Sequence, residues 1–192
     1  MYYQKTIEER IRVPPEMFGS KLEDAVLRLL RDRFESRIYK DIGMILSIDH
    51  AKVTTEGIVI PGDSGAYFTV QFDALTFVPQ VNEVYLAEVK EVVEFGAFSS
   101  IGPFQGLLHV SQIGKDKYHY DKKSKSLTCR TAKKNVKKGD AILVKVSTVS
   151  MKSSAADTKI GLTMRPDGLG KPEWLGQKKE APKAEKKKGA KK

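Results

Sequence analysis

The chain has 192 residues, 40% hydrophobic and 30% charged, with one cysteine, Cys129, and a net charge of +10. That length suits one medium domain or two small ones of a soluble globular class. No apolar run approaches the roughly 20 residues of a bilayer span, the first residues lack the apolar core of a signal peptide, and a lone cysteine excludes an internal disulfide or a zinc cluster. The composition fits a reducing cytoplasm, and no membrane contact is expected.

The charge is unevenly placed. Residues 1–113 hold 11 Lys/Arg against 16 Asp/Glu, whereas residues 114–138 hold 10 against 2 and residues 176–192 hold 8 against 2. The basic character thus sits in one internal segment and one tail. Clustered positive charge is the footprint of a polyanion partner, although a solvated loop and a solubilising tail would have the same composition.

Tyr2 to Val13 reads as a strand that Pro14-Pro15 ends. Ser20 and Glu23 have capping-box spacing. From there Leu22, Val26, Leu29, Leu30, Phe34 and Ile38 recur at helical intervals, which predicts an amphipathic helix over about 20–38. Gly43 breaks it. The period then becomes two: Met44, Leu46 and Ile48 are expected on one face, and Phe68, Val70, Phe72 and Ala74 on another. Gly57 to Ile60 is a short strand, and Pro61-Gly62-Asp63-Ser64-Gly65 a tight connection. The first domain, 1–80, is therefore expected to be α+β, an antiparallel sheet with one main helix.

Beyond Pro79, five short β-like segments (Glu83–Val93, Phe95–Ile101, Gln105–Val110, Ala141–Ser150 and Lys159–Thr163) suit an all-β five-stranded OB-fold barrel within a second domain, 81–175. Residues 114–138 read as an extended polar insertion, and the Lys-rich end, 176–192, as disordered.

The most informative stretch is Glu94-Phe95-Gly96-Ala97-Phe98-Ser99-Ser100-Ile101, followed by Gly106-Leu107-Leu108-His109-Val110-Ser111. A glycine inside a strand suggests a bend or bulge at a barrel corner, and a bulge can return Phe95 and Phe98 to one face, with His109 on the next strand. Such rings form a stacking platform for the bases of a single strand. On composition alone the alternative stays open that the Phe residues are core and the His an ordinary surface residue.

The Phe-Gly-Ala-Phe and Gly-Leu-Leu-His-Val-Ser runs closely resemble the S1 family of RNA-binding OB-fold domains. The resemblance implies single-stranded RNA binding, with Phe95, Phe98 and His109 on the binding face. Where that family often places an Asp and an Arg, this chain has Ser150 and Lys159. Lys keeps the charge without the planar fork that grips phosphate at two points. Lys145 and Arg165 are candidates to compensate. In the insertion, Lys117, Tyr118, Lys122 and Lys123 interleave charge with aromatic surface, a pattern for backbone capture with incidental stacking, unless the segment is only a charged loop. No catalytic set, metal-ligand spacing or P-loop is present, so no cofactor or metal is expected, and a processing enzyme is disfavoured.

The N-terminal half narrows the reading. The first strand, the amphipathic helix, the Ile60-Pro61-Gly62-Asp63 turn and the run Val70-Gln71-Phe72-Asp73-Ala74-Leu75-Thr76-Phe77 resemble the E-prime family of archaeal RNA polymerase, counterpart of the seventh subunit of eukaryotic RNA polymerase II. Gly168-Leu169-Gly170-Lys171-Pro172-Glu173-Trp174 is similar to that family's ending. The resemblance spans residues 1–175. It implies a non-catalytic stalk component that forms a heterodimer with the polymerase's smaller F subunit, the fourth-subunit counterpart. It also implies docking on the polymerase core through Pro61, Gly62, Asp63, Ser64 and Gly65, with the barrel meeting nascent single-stranded RNA. The competing reading is a free-standing S1-domain factor in translation or RNA decay.

Overall fold

The first strand, β1 (Tyr2–Val13), turns Ile11 and Val13 inward while Arg10 and Arg12 face solvent. The computed structural model describes residues 1–129, 134–155 and 157–175; the Lys-rich end, 176–192, lies outside the described residues. After a single 3-10 turn comes α1 (Leu22–Phe34), which buries Ala25, Val26, Leu30 and Phe34. The expected capping box does not form. The Ser20 hydroxyl donates back to the Met17 carbonyl at 2.8 Å, an acceptor supplied by the 3-10 turn, and Lys21 caps the helix with no side-chain bond. The helix also ends four residues before the expected Ile38. Ser36 adopts φ 61°, and its N–H donates to the Ile45 carbonyl at 2.8 Å, so the chain turns into the sheet.

The sheet is completed by β2 (Ile38–Tyr39), β3 (Gly43–Val53), β4 (Ile58–Val59) and β5 (Ala66–Phe77), ordered β1-β5-β3-β2 with β4 on β5, all antiparallel. One face packs on α1: Val26, Leu30 and Phe34 meet Ile11, Ile48, Val70 and Phe72. Each such side chain contributes about 1.5–3 kcal/mol on full burial. On β3 the expected alternation fails. A register shift between Ile45 and Ser47 inserts a residue, which puts Ile45 and Ile48 together under the helix. Met44 and Leu46 pack instead against the barrel's core. The helix also serves the β3 backbone, since Glu35 accepts the Ile48 N–H at 3.0 Å and Arg31 donates to the Ile48 carbonyl.

The barrel comprises β6 (Val84–Val93), β7 (Gly96–Ile101) and β8 (Phe104–His109), then β12 (Ala141–Ser150) and β13 (Lys159–Thr163) after an inserted sheet of β9 (His119–Asp121), β10 (Ser126–Cys129) and β11 (Lys134–Lys137). It closes in the order β12-β13-β8-β7-β6, with β12 returning to β6 and only β13–β8 parallel. Val89, Leu108, Ile142, Val144 and Leu162 fill the interior. Phe77, the last residue of β5, joins this core, with its ring centroid 4.9 Å from Tyr2, 6.0 Å from Tyr85 and 5.8 Å from Phe104. Sheet and barrel therefore share a fully buried side chain at their junction.

The insertion is not the extended polar segment expected. Its described strands pair in the order β11-β10-β9, and Tyr118, Leu127, Cys129 and Val136 are buried in continuity with the barrel core. The density of lysines hides a short alternation in which Leu127, Cys129 and Val136 point inward. A short α2 (Pro172–Leu175) closes the described chain.

Candidate nucleic-acid interface

The platform residues are set by the β6–β7 turn and the β7–β8 ladder. Gly96 faces His109, and a Cβ on Gly96 would lie 2.3 Å from the Leu108 carbonyl oxygen, so only glycine permits this approach. The bulge expected at Gly96 is absent: β7 and β8 keep one register from Gly96–His109 to Ile101–Phe104. The irregularity lies on β6, between Val89 and Glu91. Phe95 joins Phe98 because it sits in the turn before β7, and the two rings meet edge to face at 6.3 Å and 88°. Phe95 is 50% exposed, a large apolar area left in solvent.

His109 is exposed and held from one side. Its Nδ1 lies 2.9 Å from the Ser111 hydroxyl and accepts the Ser111 N–H at 3.3 Å. A neutral ring in that arrangement carries its proton on Nε2, where it is a donor.

Phe98 and His109 open onto a groove of about 990 Å³ that Leu107, Gln112, Ser147, Thr148, Ser150, Lys159 and Gly161 also line. Phe98, Leu107 and Gly161 are successive cross-strand partners. A Cβ at Gly161 would lie 2.4 Å from the Thr148 hydroxyl, so glycine keeps that part of the groove open. Thr163 donates to the Gln112 side-chain oxygen at 3.0 Å and fixes that amide at the rim. Ser150 and Lys159 face each other across β12 and β13. The groove thus has aromatic and aliphatic surface, hydroxyls, an amide and one ammonium, the chemistry of stacking combined with backbone contact.

The other candidates lie around this centre. Lys145 pairs with Thr163 just outside the lining, and Arg165 is exposed beyond the end of β13. Lys117, Lys122 and Lys123 are exposed on the insertion, away from the groove, although Lys122 meets Glu94, beside Phe95, at 3.2 Å. Tyr118 is 8% exposed, and burial pushes its hydroxyl up to about 12. It has no face for a base, so its expected stacking role is withdrawn.

The connection Pro61–Gly65 is built around Asp63. That carboxylate takes two N–H groups of Arg12, the Gly65 N–H at 2.9 Å and the Tyr67 hydroxyl at 2.8 Å. These donors, the Arg12 fork foremost, hold the Asp63 carboxyl well below the usual carboxylate range. Asp63 thus shapes the turn internally, while the flanking Ile58, Val59 and Ile60 are 56%, 65% and 41% exposed. Sequence reasoning read Gly57 to Ile60 only as a short strand, a run too short for its alternation to assign a buried or an exposed face.

It also passed over the chain's closing device. Gly170 bridges Leu143 on the barrel, and Lys171, 6% exposed, pairs with Asp140 at 2.5 Å and lies 5.8 Å from the Trp174 ring. Only the Gly-Lys-Pro-Glu-Trp run hinted at it, and nothing local named Asp140 as the partner.

Comparison with known proteins agrees with this architecture. Residues 8–65 match the model of the "SHS2 domain found in N terminus of Rpb7p/Rpc25p/MJ0397", and residues 78–161 match that of the S1 RNA binding domain. The chain is 38% identical to the DNA-directed RNA polymerase subunit Rpo7 of Sulfolobus acidocaldarius over 167 residues, 87% of this chain and 91% of the relative. The chain belongs to the Rpo7 family. Identity to the Rpo7 of Saccharolobus solfataricus is 39% over 169 residues, covering 88% of this chain and 94% of the relative. Similarity extends to the DNA-directed RNA polymerase III subunit RPC8 of Saccharomyces cerevisiae, 29% identical over 84 residues, which is 44% of this chain and 40% of the relative. As an Rpo7 family member it is an accessory subunit of RNA polymerase, and the polymerase core is its partner.

Proposed function

We propose that this protein builds the polymerase stalk together with the smaller F subunit and presents the barrel groove to nascent single-stranded RNA. The observation that carries the reading is the convergence of Phe98, His109 and Lys159 on one groove, with Phe95 at its edge. Rings supply sequence-tolerant stacking, and the ammonium supplies attraction to phosphate. The apolar tip at Ile58–Ile60, shaped by the turn Pro61–Gly65, is the docking element for the core, which extends the site read from the turn alone. Exposed Val81, Val84 and Leu86 at the start of the barrel add apolar surface suited to the stalk partner. The working compartment is the cytoplasm.

The test has two parts. A tagged chain should copurify the polymerase core and form a one-to-one complex with the F subunit; failure of both overturns the stalk reading in favour of a free-standing RNA-binding factor. In stalled elongation complexes, a photoreactive residue at Phe98 should crosslink to transcript, and crosslinking to no RNA would overturn the groove assignment.

A further inference from the structure

A second depression, of about 730 Å³, lies beyond the platform between β6 and the inserted sheet. Four lysines, Lys90, Lys122, Lys125 and Lys138, line it against two glutamates, Glu91 and Glu94, with the half-buried Tyr120 ring as a wall. The lysines come from three separate pieces of backbone, each fixed locally. Lys90 sits at the β6 register shift between Val89 and Glu91. Lys138 belongs to the β11–β12 turn, which is tied to β6 by Gly139 N–H to Val89 O at 2.8 Å and Val89 N–H to Asp140 O at 2.9 Å. Lys122 and Lys125 lie in the β9–β10 turn, where Asp121 accepts the Lys123 N–H at 3.0 Å and the Ser124 hydroxyl at 2.7 Å. Asp121 is thus engaged within its own turn and is not among the residues lining the hollow.

The Glu94–Phe95 turn separates the two depressions. Glu94 lines the lysine hollow, Phe98 lines the groove, and the Phe95 ring rests against Phe98. We infer that one RNA strand leaves the groove across Phe98 and Phe95 and runs into the lysine hollow, so that barrel and inserted sheet make one extended path with phosphates held at its far end. The inference rests on the RNA-binding reading of the groove. It adds a phosphate subsite at Lys90, Lys125 and Lys138, and it makes affinity depend on RNA length.

The experiment compares the full chain, in complex with the F subunit, with the variant Lys90→Gln/Lys125→Asn/Lys138→Gln. The probes are oligouridylates of about 4 and about 12 nucleotides, both within the range of OB-fold footprints. The variant should lose about tenfold in affinity for the longer RNA, with the slope of log affinity against log salt smaller by about 2, as expected for three phosphate contacts on a single strand. Affinity for the shorter RNA should stay unchanged, and arginine at the same three positions should keep long-RNA binding. Unchanged long-RNA affinity, or an equal loss at both lengths, overturns the path. Inorganic tripolyphosphate is the third probe: binding abolished by the triple substitution, with long-RNA affinity intact, would assign the hollow to free polyphosphate and overturn the path as well. The groove is judged separately by Phe98→Ala on the short RNA. No effect there, with the length-dependent loss still present in the triple variant, would sink the groove reading and leave the lysine subsite standing.

Discussion

The tip of the first sheet and the groove of the barrel are both exposed and are the two surfaces proposed to dock and to bind RNA, yet they are built in opposite ways. The tip presents consecutive residues, Ile58 to Ile60, beside a turn that one carboxylate, Asp63, organises through the nearby Gly65 and Tyr67 and a single distant side chain, Arg12 of β1. The groove is assembled from β7, β8, β12 and β13, and its key residues Phe98, His109 and Lys159 come from three different strands. A local surface is changed by a local substitution. An assembled one is lost only when a contacting residue goes or when the barrel itself loosens. Phe77 links the two, because it ends the strand that carries β4 and fills the barrel's core.

Breaking that link should have the largest effect. Phe77→Ala removes a fully buried ring and should cost about 3–5 kcal/mol of stability, read as a lower denaturation midpoint, with loss of both RNA binding and core association near the transition. Next comes the tip. Ile58→Asp/Val59→Asp should cost about 2 kcal/mol or more in binding to the polymerase core, in line with a hot-spot contact, while oligouridylate affinity and melting temperature hold. If core binding survives, the tip is not the dock. The groove should show the converse: Phe98→Ala or His109→Ala should each weaken RNA by about 1–3 kcal/mol, measured by fluorescence anisotropy, with core association intact.

The smallest effect is set by pH. The folded-state pKa of Asp63 is depressed, so the order it lends the turn is fully present above the ordinary carboxylate value, near 4, and is lost as pH falls through the lower folded value. The protection factor of the Gly65 amide, its exchange rate corrected for the intrinsic pH dependence, should therefore be high at pH 6 and begin to fall below pH ~4, whereas Asp63→Asn should give the lower protection already at pH 6. Barrel amides such as Leu108 should not follow this profile. A barrel that loosened in step with the turn would erase the contrast between a local and an assembled surface.

Much of this was legible in the chain. The strand Tyr2–Val13 and the alternation of Phe68 to Ala74 follow from period-two patterning, the five barrel strands from their short β-like segments, and the Phe-Gly-Ala-Phe run pointed to the proposed platform. Where the reading failed, a competing partner or register had overridden the expected signal. Ser20 found the Met17 carbonyl rather than the helix, and a bulge in β3 exchanged the faces of Met44 and Ile45. The lysine-rich insertion concealed a paired sheet whose Tyr118 is core.

What the sequence determined by itself was the fold class of the two units and the sign and placement of charge, because periodicity and composition act over a few residues; the residues proposed for the RNA face came from the resemblance of two short runs to a known family. The tertiary structure alone decided which residues meet. It put Gly161 beneath Thr148, Lys171 onto Asp140, and lysines from β6, the β9–β10 turn and the β11–β12 turn around one hollow. Those juxtapositions depend on strand order and register, which are set by how the whole core closes and not by any segment within it.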